Sequence, residues 1–127
     1  MTQTSTGAAP LRAGVLCAGL AGAAGVATLA AAAHMDTTGL MQQAGQMMLF
    51  HAPALAVAGL LATLRRAPLA TLALGLMTLG LLLFCGDMLS RALAEDRLFP
   101  MAAPGGGIAL ILSWITLGLA GLFSRAR

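Results

Sequence analysis

The sequence predicts an all-α integral membrane protein, a four-helix transmembrane bundle with both termini in the cytoplasm. Of its 127 residues, 59% are hydrophobic and 9% are charged, and the mean hydropathy is +0.91. Soluble domains carry roughly 25% charged residues, so this chain lacks the polar surface to face water on all sides. Four long apolar windows and the positions of the arginines supply the rest of the prediction.

The four windows reach or approach the roughly 20 apolar residues that cross a bilayer core of about 30 Å. They cover residues 13–33, 44–64, 69–89 and 105–123, with a flexible N-terminal tail at 1–12 and a C-terminal tail at 124–127. The first window ends in Ala-Ala-Ala-His, which also resembles a signal-peptide cleavage site. Because its apolar stretch is long enough to span, we expect it to be retained as a helix.

The arginines predict the orientation of the bundle. With four spans, one side holds five arginines and no acid, whereas the other holds two arginines with three acids. The first group is Arg12, Arg65, Arg66, Arg125 and Arg127, and the second is Arg91, Arg97, Asp36, Glu95 and Asp96. Arginine excess in short loops marks the cytoplasmic side, which predicts a multi-pass protein with both termini in the cytoplasm. No basic stripe is present for phosphates to follow, which argues against nucleic-acid binding.

Small residues follow one face of the first span. Gly14, Ala18, Gly22 and Gly25 lie along it, and small residues let helix backbones approach closely in lipid. We therefore expect this helix at the centre of the bundle or at a homo-oligomer contact. The glycines that open the fourth span, including Gly106 and Gly107, predict another close helix crossing.

Polar and ionisable side chains are predicted to gather near the outer ends of the spans. They are His34, Gln46, His51 and Asp87. Because such groups are costly in lipid and normally face a partner, we expect His51 to pair with Asp87. The cluster is open to three interpretations: a polar latch between helix ends, a cavity for a quinone or lipid headgroup, or a metal or haem site.

Soft ligands near the same end keep the metal interpretation open. Thioether, thiol and imidazole groups suit Cu(I), and the weak candidates are His34, His51, Met47, Met48 and Cys85. No zinc-type cysteine spacing accompanies them. We predict no bound cofactor.

Four motifs give the chain a family resemblance. In order they are GLAGAAGVATLAAAAH, QMMLFHAPALA, LGLLLFCGDMLS and APGGGIALILSWITLGL. Over residues 13–123 they resemble the membrane family called domain of unknown function 423, which includes bacterial inner-membrane proteins and the transmembrane protein 256 type. The family pattern matches His34, His51, Phe84, Gly86, Pro104, Gly106, Gly107 and Trp114. Three departures are the alanines before His34, where glycines are usual, the methionines at 47 and 48, where Tyr-Gln is usual, and Asp87, where serine is usual.

The resemblance implies a multi-pass helical protein of the bacterial inner membrane, but it implies no activity. No catalytic constellation stands out in the sequence, so we expect a protein that is not an enzyme. The favoured function is a non-catalytic accessory or self-associating membrane component, in contact with lipid and with a homo-oligomer or larger membrane complex as its partner. The alternative is a binder or carrier of a small ligand or metal ion (quinone, lipid headgroup, copper or haem) through the outer His/Asp/Met cluster.

Overall fold

Four long helices make up most of the chain in the computed structural model, which describes residues 5–127. A 3-10 turn at Ser5–Ala8 leads into α1 (Ala9–Met35), which is followed by α2 (Leu40–Leu64), β1 (Arg65–Arg66), α3 (Pro68–Ala94), α4 (Ala102–Phe123) and β2 (Arg125–Ala126). All four helices are long and apolar enough to cross a membrane. Helix α1 begins inside the predicted N-terminal tail, and the first four residues of that tail lie outside the described residues.

The helices have two common ends. The start of α1, the α2–α3 connector and the end of α4 form the terminal end, where β1 pairs antiparallel with β2. The α1–α2 and α3–α4 loops form the loop end. The short strand pair was not predicted, because two residues carry no alternation that a sequence pattern can reveal.

Helix α2 begins four residues earlier than predicted because of a carboxylate cap. Asp36 Oδ1 accepts the backbone N–H groups of Thr38 and Gly39 at 3.3 and 3.0 Å, and Oδ2 accepts that of Gln42 at 2.9 Å. The bond from Gln42 satisfies one of the N–H groups that a helix start leaves without partners, and the other two bonds order the turn that leads into the helix. The hydrogen bond from Gln42 is the largest cause that lowers the pKa of the Asp36 carboxyl.

The α3–α4 loop is shorter than predicted. Helix α3 continues to Ala94, and α4 begins at Ala102 instead of residue 105. Pro104 lies in the first turn of α4, where a missing N–H removes no intrahelical hydrogen bond. Glu95 and Met101, which flank the loop, take positive φ angles of 57° and 69° and so turn the chain sharply at both helix ends.

Glycines bring α1 and α2 into backbone contact. A Cβ added at Gly14 would lie 2.7 Å from the Leu55 carbonyl oxygen, and one at Gly59 would lie 2.9 Å from Gly14 Cα. Nearer the loop end, Gly25 and Gly45 meet in the same way. Gly22 is looser, because a Cβ added there would lie 3.9 Å from the Ala52 methyl group, and Ala18 packs against the core.

Helix α1 is not at the centre of the bundle, which was the first of its two expected positions; the second, a homo-oligomer contact, stays a prediction. It packs along α2, barely touches α3, and buries only Gly14 and Gly25 fully. The central helices are α2 and α3, which supply the buried side chains of Leu55 and Met77. The tightly packed glycines lie on one side of α1: Gly14 and Gly25 pack against α2, whereas the positions on the opposite side are exposed.

A second close crossing joins α3 to α4. A Cβ at Gly106 would lie 2.6 Å from the Phe84 backbone nitrogen and 2.8 Å from the Gly80 carbonyl oxygen. At the neighbouring Gly107 the helices are less tightly packed, because the nearest atom to an added Cβ belongs to the Phe84 ring at 4.0 Å. The fold is therefore two helical hairpins, α1–α2 and α3–α4, joined where α2 packs against α3.

The glycine contacts predict a selective cost for added methyl groups. Gly59→Ala should lower the free energy of unfolding by about 1–3 kcal/mol, since overpacking must push two backbones apart. Gly19→Ala is the matched control, because nothing lies within 4 Å of its Cβ position. The control should be neutral or gain up to about 1 kcal/mol of helix propensity. Thermal unfolding in detergent measures both, and equal melting temperatures would contradict the observed α1–α2 contact.

Candidate functional site

His51 lies in the middle of α2, with both ring nitrogens engaged. It is the twelfth residue of α2 and is 4% exposed. Its Nδ1 lies 2.7 Å from the Met47 carbonyl oxygen, and its Nε2 lies 2.9 Å from Trp114 Nε1. The sequence-based expectation that it lies near an outer helix end is wrong, because α2 starts earlier than predicted.

The two hydrogen bonds define the state of the imidazole. An indole N–H can only donate, so Nε2 of His51 must accept and carries no proton. A carbonyl can only accept, so Nδ1 must carry the proton. The ring is therefore neutral, and the lone pair that would bind a metal is occupied by Trp114.

Trp114 links the two hairpins through this bond. It is the thirteenth residue of α4, and its ring centroid lies 5.6 Å from that of His51 at an interplanar angle of 56°. The indole is 46% exposed, so its N–H points inward while much of its ring faces the surroundings. The sequence reasoning matched Trp114 to a family motif but gave it no partner. The position of each residue along its helix could have identified the pair, since His51 and Trp114 lie at nearly the same distance from the loop-end starts of α2 and α4.

The predicted pairing of His51 with Asp87 is wrong. The Cys85 thiol donates to the Ala44 carbonyl at 3.5 Å, which aligns those two positions on the antiparallel helices α2 and α3. His51 is seven residues from Ala44 toward the terminal end, whereas Asp87 is two residues from Cys85 toward the loop end. Nine residues of helical rise correspond to about 13 Å, which is too far for a direct contact.

Asp87 instead holds the α3–α4 loop. It is completely buried, and its Oδ1 accepts the backbone N–H of Leu98 at 3.0 Å. Its Oδ2 is buried without a hydrogen-bond partner among the described residues. A buried carboxylate oxygen without a donor is costly, so this aspartate is the least satisfied polar group of the bundle interior.

The other predicted site residues do not join either group. His34 and Gln46 are exposed on α1 and α2. Met48 and Cys85 are buried, and Met47 is half-buried. Within residues 5–127, no three His, Cys, Asp or Glu side chains come close enough to hold one metal ion. The polar cluster of the sequence prediction is thus spread over several levels of the fold.

An apolar cleft opens between α1 and α3, on the side where these helices barely touch. Its volume is about 330 Å³, and its lining includes Cys17, Leu20, Met48, Leu81 and Cys85. The Thr78 hydroxyl in its wall is already bonded to the Leu74 carbonyl at 2.8 Å. The cleft therefore offers an apolar surface with its polar groups satisfied internally, and neither His51 nor Asp87 lines it.

These features define a class of protein: two antiparallel helical hairpins of apolar helices, closed by glycine contacts and joined by α2–α3 packing and by hydrogen bonds that include the one between His51 and Trp114. The chain belongs to the family described as protein of unknown function (DUF423), which matches residues 21–107. The comparisons with curated proteins and with solved structures find no match. The family model covers His51 and Asp87 but stops before Trp114.

The His51–Trp114 bond predicts energetic coupling between α2 and α4. His51→Phe and Trp114→Phe each keep an aromatic ring and remove one hydrogen-bonding group. The double variant should lose less stability than the sum of the single variants, with a coupling of about 0.6 kcal/mol and at most about 1.7 kcal/mol. Melting in detergent measures stability, and the fluorescence of Trp114, the only tryptophan, reports its hydrogen bond.

The control cycle combines His51→Phe with Asp87→Asn. These positions share no contact, so their effects should add. Coupling in the control cycle with additivity between His51 and Trp114 would refute the assigned bond.

Proposed function

We propose that the chain is a small multi-pass protein of the bacterial inner membrane that acts as a non-catalytic, self-associating membrane component. Support for insertion comes from the four helices, each long and apolar enough to span. Support for cytoplasmic termini comes from the five arginines and no acids in the segments of the terminal end, since basic residues concentrate on the cytoplasmic side.

The outer face of α1 is the observation that carries self-association. On the side away from α2, Gly19, Ala23, Ala27 and Ala30 are exposed, and nothing lies within 4 Å of the Gly19 Cβ position. These small residues, bordered by the exposed Leu16 and Leu20, offer lipid little side-chain surface but let a second helix approach closely. Helix α1 thus has small residues on two sides, with α2 against one of them.

A second copy of the chain fits this face. In a two-fold symmetric dimer the same patch serves both subunits, so α1 would cross α1 of the partner near Ala23. The same face would equally admit a helix of a different subunit in a larger membrane complex. Neither kind of association needs a reactive group. Both ring nitrogens of His51 are hydrogen-bonded within the chain, which supports a structural role for this residue.

A second candidate function is the binding of an apolar membrane molecule, such as a lipid chain or the tail of a quinone. The α1–α3 cleft favours it, because about 330 Å³ falls at the small end of the range for ligand pockets. The apolar lining fits a chain-like ligand better than copper or haem. The site of this candidate is therefore the cleft and not the predicted His/Asp/Met cluster.

The orientation is tested with single cysteines in a cysteine-free chain. Glu95→Cys should react with an impermeant thiol reagent added to intact spheroplasts. Ala126→Cys should react only after the membrane is permeabilised, since it lies at the opposite, cytoplasmic end. The reverse pattern would overturn the orientation, and equal labelling of both in intact spheroplasts would overturn the four-span topology.

Self-association is tested by oxidative cross-linking at Ala23→Cys in the same background. Because Ala23 would meet its symmetry mate, the oxidised membranes should contain a covalent dimer. Ile115→Cys is the matched control: it lies in the middle part of α4, is 55% exposed, and belongs to a face of large apolar side chains. Adding Gly19→Leu to the Ala23→Cys chain should reduce the dimer without unfolding the monomer. Equal cross-linking at positions 23 and 115 would mean random collision and would contradict the proposal.

A further inference from the structure

The strand pair at the terminal end places two arginines side by side. Arg66 of β1 lies directly opposite Arg125 of β2. Directly opposite residues of an antiparallel pair share a face, with Cβ atoms about 4.5–5.5 Å apart, and like charges in that position destabilise the pair. The chain therefore concentrates two positive charges where its own backbone pairing gains nothing from them.

Two neighbouring arginines fix the position of this pair. Arg65 donates to the hydroxyl and the carbonyl of Ser124, both at 3.3 Å. Arg127 donates to the Ala62 carbonyl at 2.9 Å and to the Arg65 carbonyl at 3.2 Å. In the described part of the chain, the guanidinium groups of Arg66 and Arg125 form no such bonds, and both side chains are exposed. They remain available for an external anion.

No acid of the chain is placed to neutralise them. The four acids are Asp36, Asp87, Glu95 and Asp96, and all of them lie at or near the loop end. Large apolar side chains stand beside the arginines instead: Leu64 immediately precedes β1 and is 61% exposed, and Phe123 ends α4 and is 66% exposed. The terminal end thus combines free positive charge with an adjacent apolar surface.

We propose that Arg66 and Arg125 together bind the phosphate group of an anionic phospholipid. Guanidinium groups match phosphate oxygens in two-point hydrogen bonds, and a shared phosphate would remove the repulsion across the strand pair. A phospholipid is favoured over free phosphate because its acyl chains would lie against Leu64 and Phe123. The inference rests on the proposed membrane insertion but not on the proposed self-association.

The experiment titrates delipidated full-length protein in a neutral detergent with phosphatidylglycerol or phosphatidylcholine, and counts bound lipids by native mass spectrometry. The unchanged protein should prefer phosphatidylglycerol. In Arg66→Gln/Arg125→Gln, that preference should fall at least about tenfold, since each arginine near an anionic headgroup contributes favourably. The matched control is Arg91→Gln/Arg97→Gln, which removes the same charge at the loop end and should keep the preference.

Each further outcome decides the proposal. If both double variants lost the preference for phosphatidylglycerol equally, the preference would depend on net charge alone, and the site would be overturned. Equal binding of the two lipids by the unchanged protein would also overturn it. If inorganic phosphate competed for the site as well as phosphatidylglycerol does, the bound phosphate group would not need to come from a lipid, and the proposal would be overturned. Arg66→Lys/Arg125→Lys, which keeps the charge and loses the two-point geometry, should retain folding and bind with intermediate preference. The micellar titration needs no orientation, so its result is independent of the spheroplast labelling.

Discussion

The contact between the backbones of α1 and α2 at Gly14 and Gly59 is the constraint on which the rest of the structure depends. The two helices touch without side chains between them, so α1 follows α2 along its length, while it barely touches α3. This leaves α1 at the edge of the bundle, opens the cleft toward α3, and exposes the outer face of α1. The candidate surfaces of the protein thus follow from one close crossing.

Polar groups stabilise the fold at two different levels along the helices. The His51–Trp114 bond joins α2 to α4 at mid-helix, where an unpaired imidazole or indole nitrogen in an apolar medium would be costly. Asp87 joins the end of α3 to its following loop. Since the two sites lie about 13 Å apart along the helices, they stabilise different parts of the fold, and neither His51 nor Asp87 lines the α1–α3 cleft.

Hydropathy predicted the four helices well because length and apolar composition determine them directly. The helix starts were less accessible: the Asp36 cap begins α2 at Leu40 and Pro104 fits within the first turn of α4, so both starts fell earlier than the apolar windows indicated. That shift moved His51 from a helix end to mid-helix and so undermined its predicted partner. Charge attraction suggested Asp87, whereas the geometry selected Trp114, a neutral donor at equal depth. Contacts between distant positions, such as Arg66 with Arg125, have no local signal in the sequence.

The hairpin topology also separates the charges of the chain between the terminal end and the loop end. Two hairpins in series bring the first helix start, the middle connector and the last helix end together, so arginines from distant parts of the sequence meet at one end. There, Arg65 and Arg127 are used for backbone hydrogen bonds that close the strand pair. Arg66 and Arg125 are left facing outward beside Leu64 and Phe123. The proposed anionic headgroup would match both the charge and the adjacent apolar surface, and the β pairing would then serve to hold the two arginines side by side.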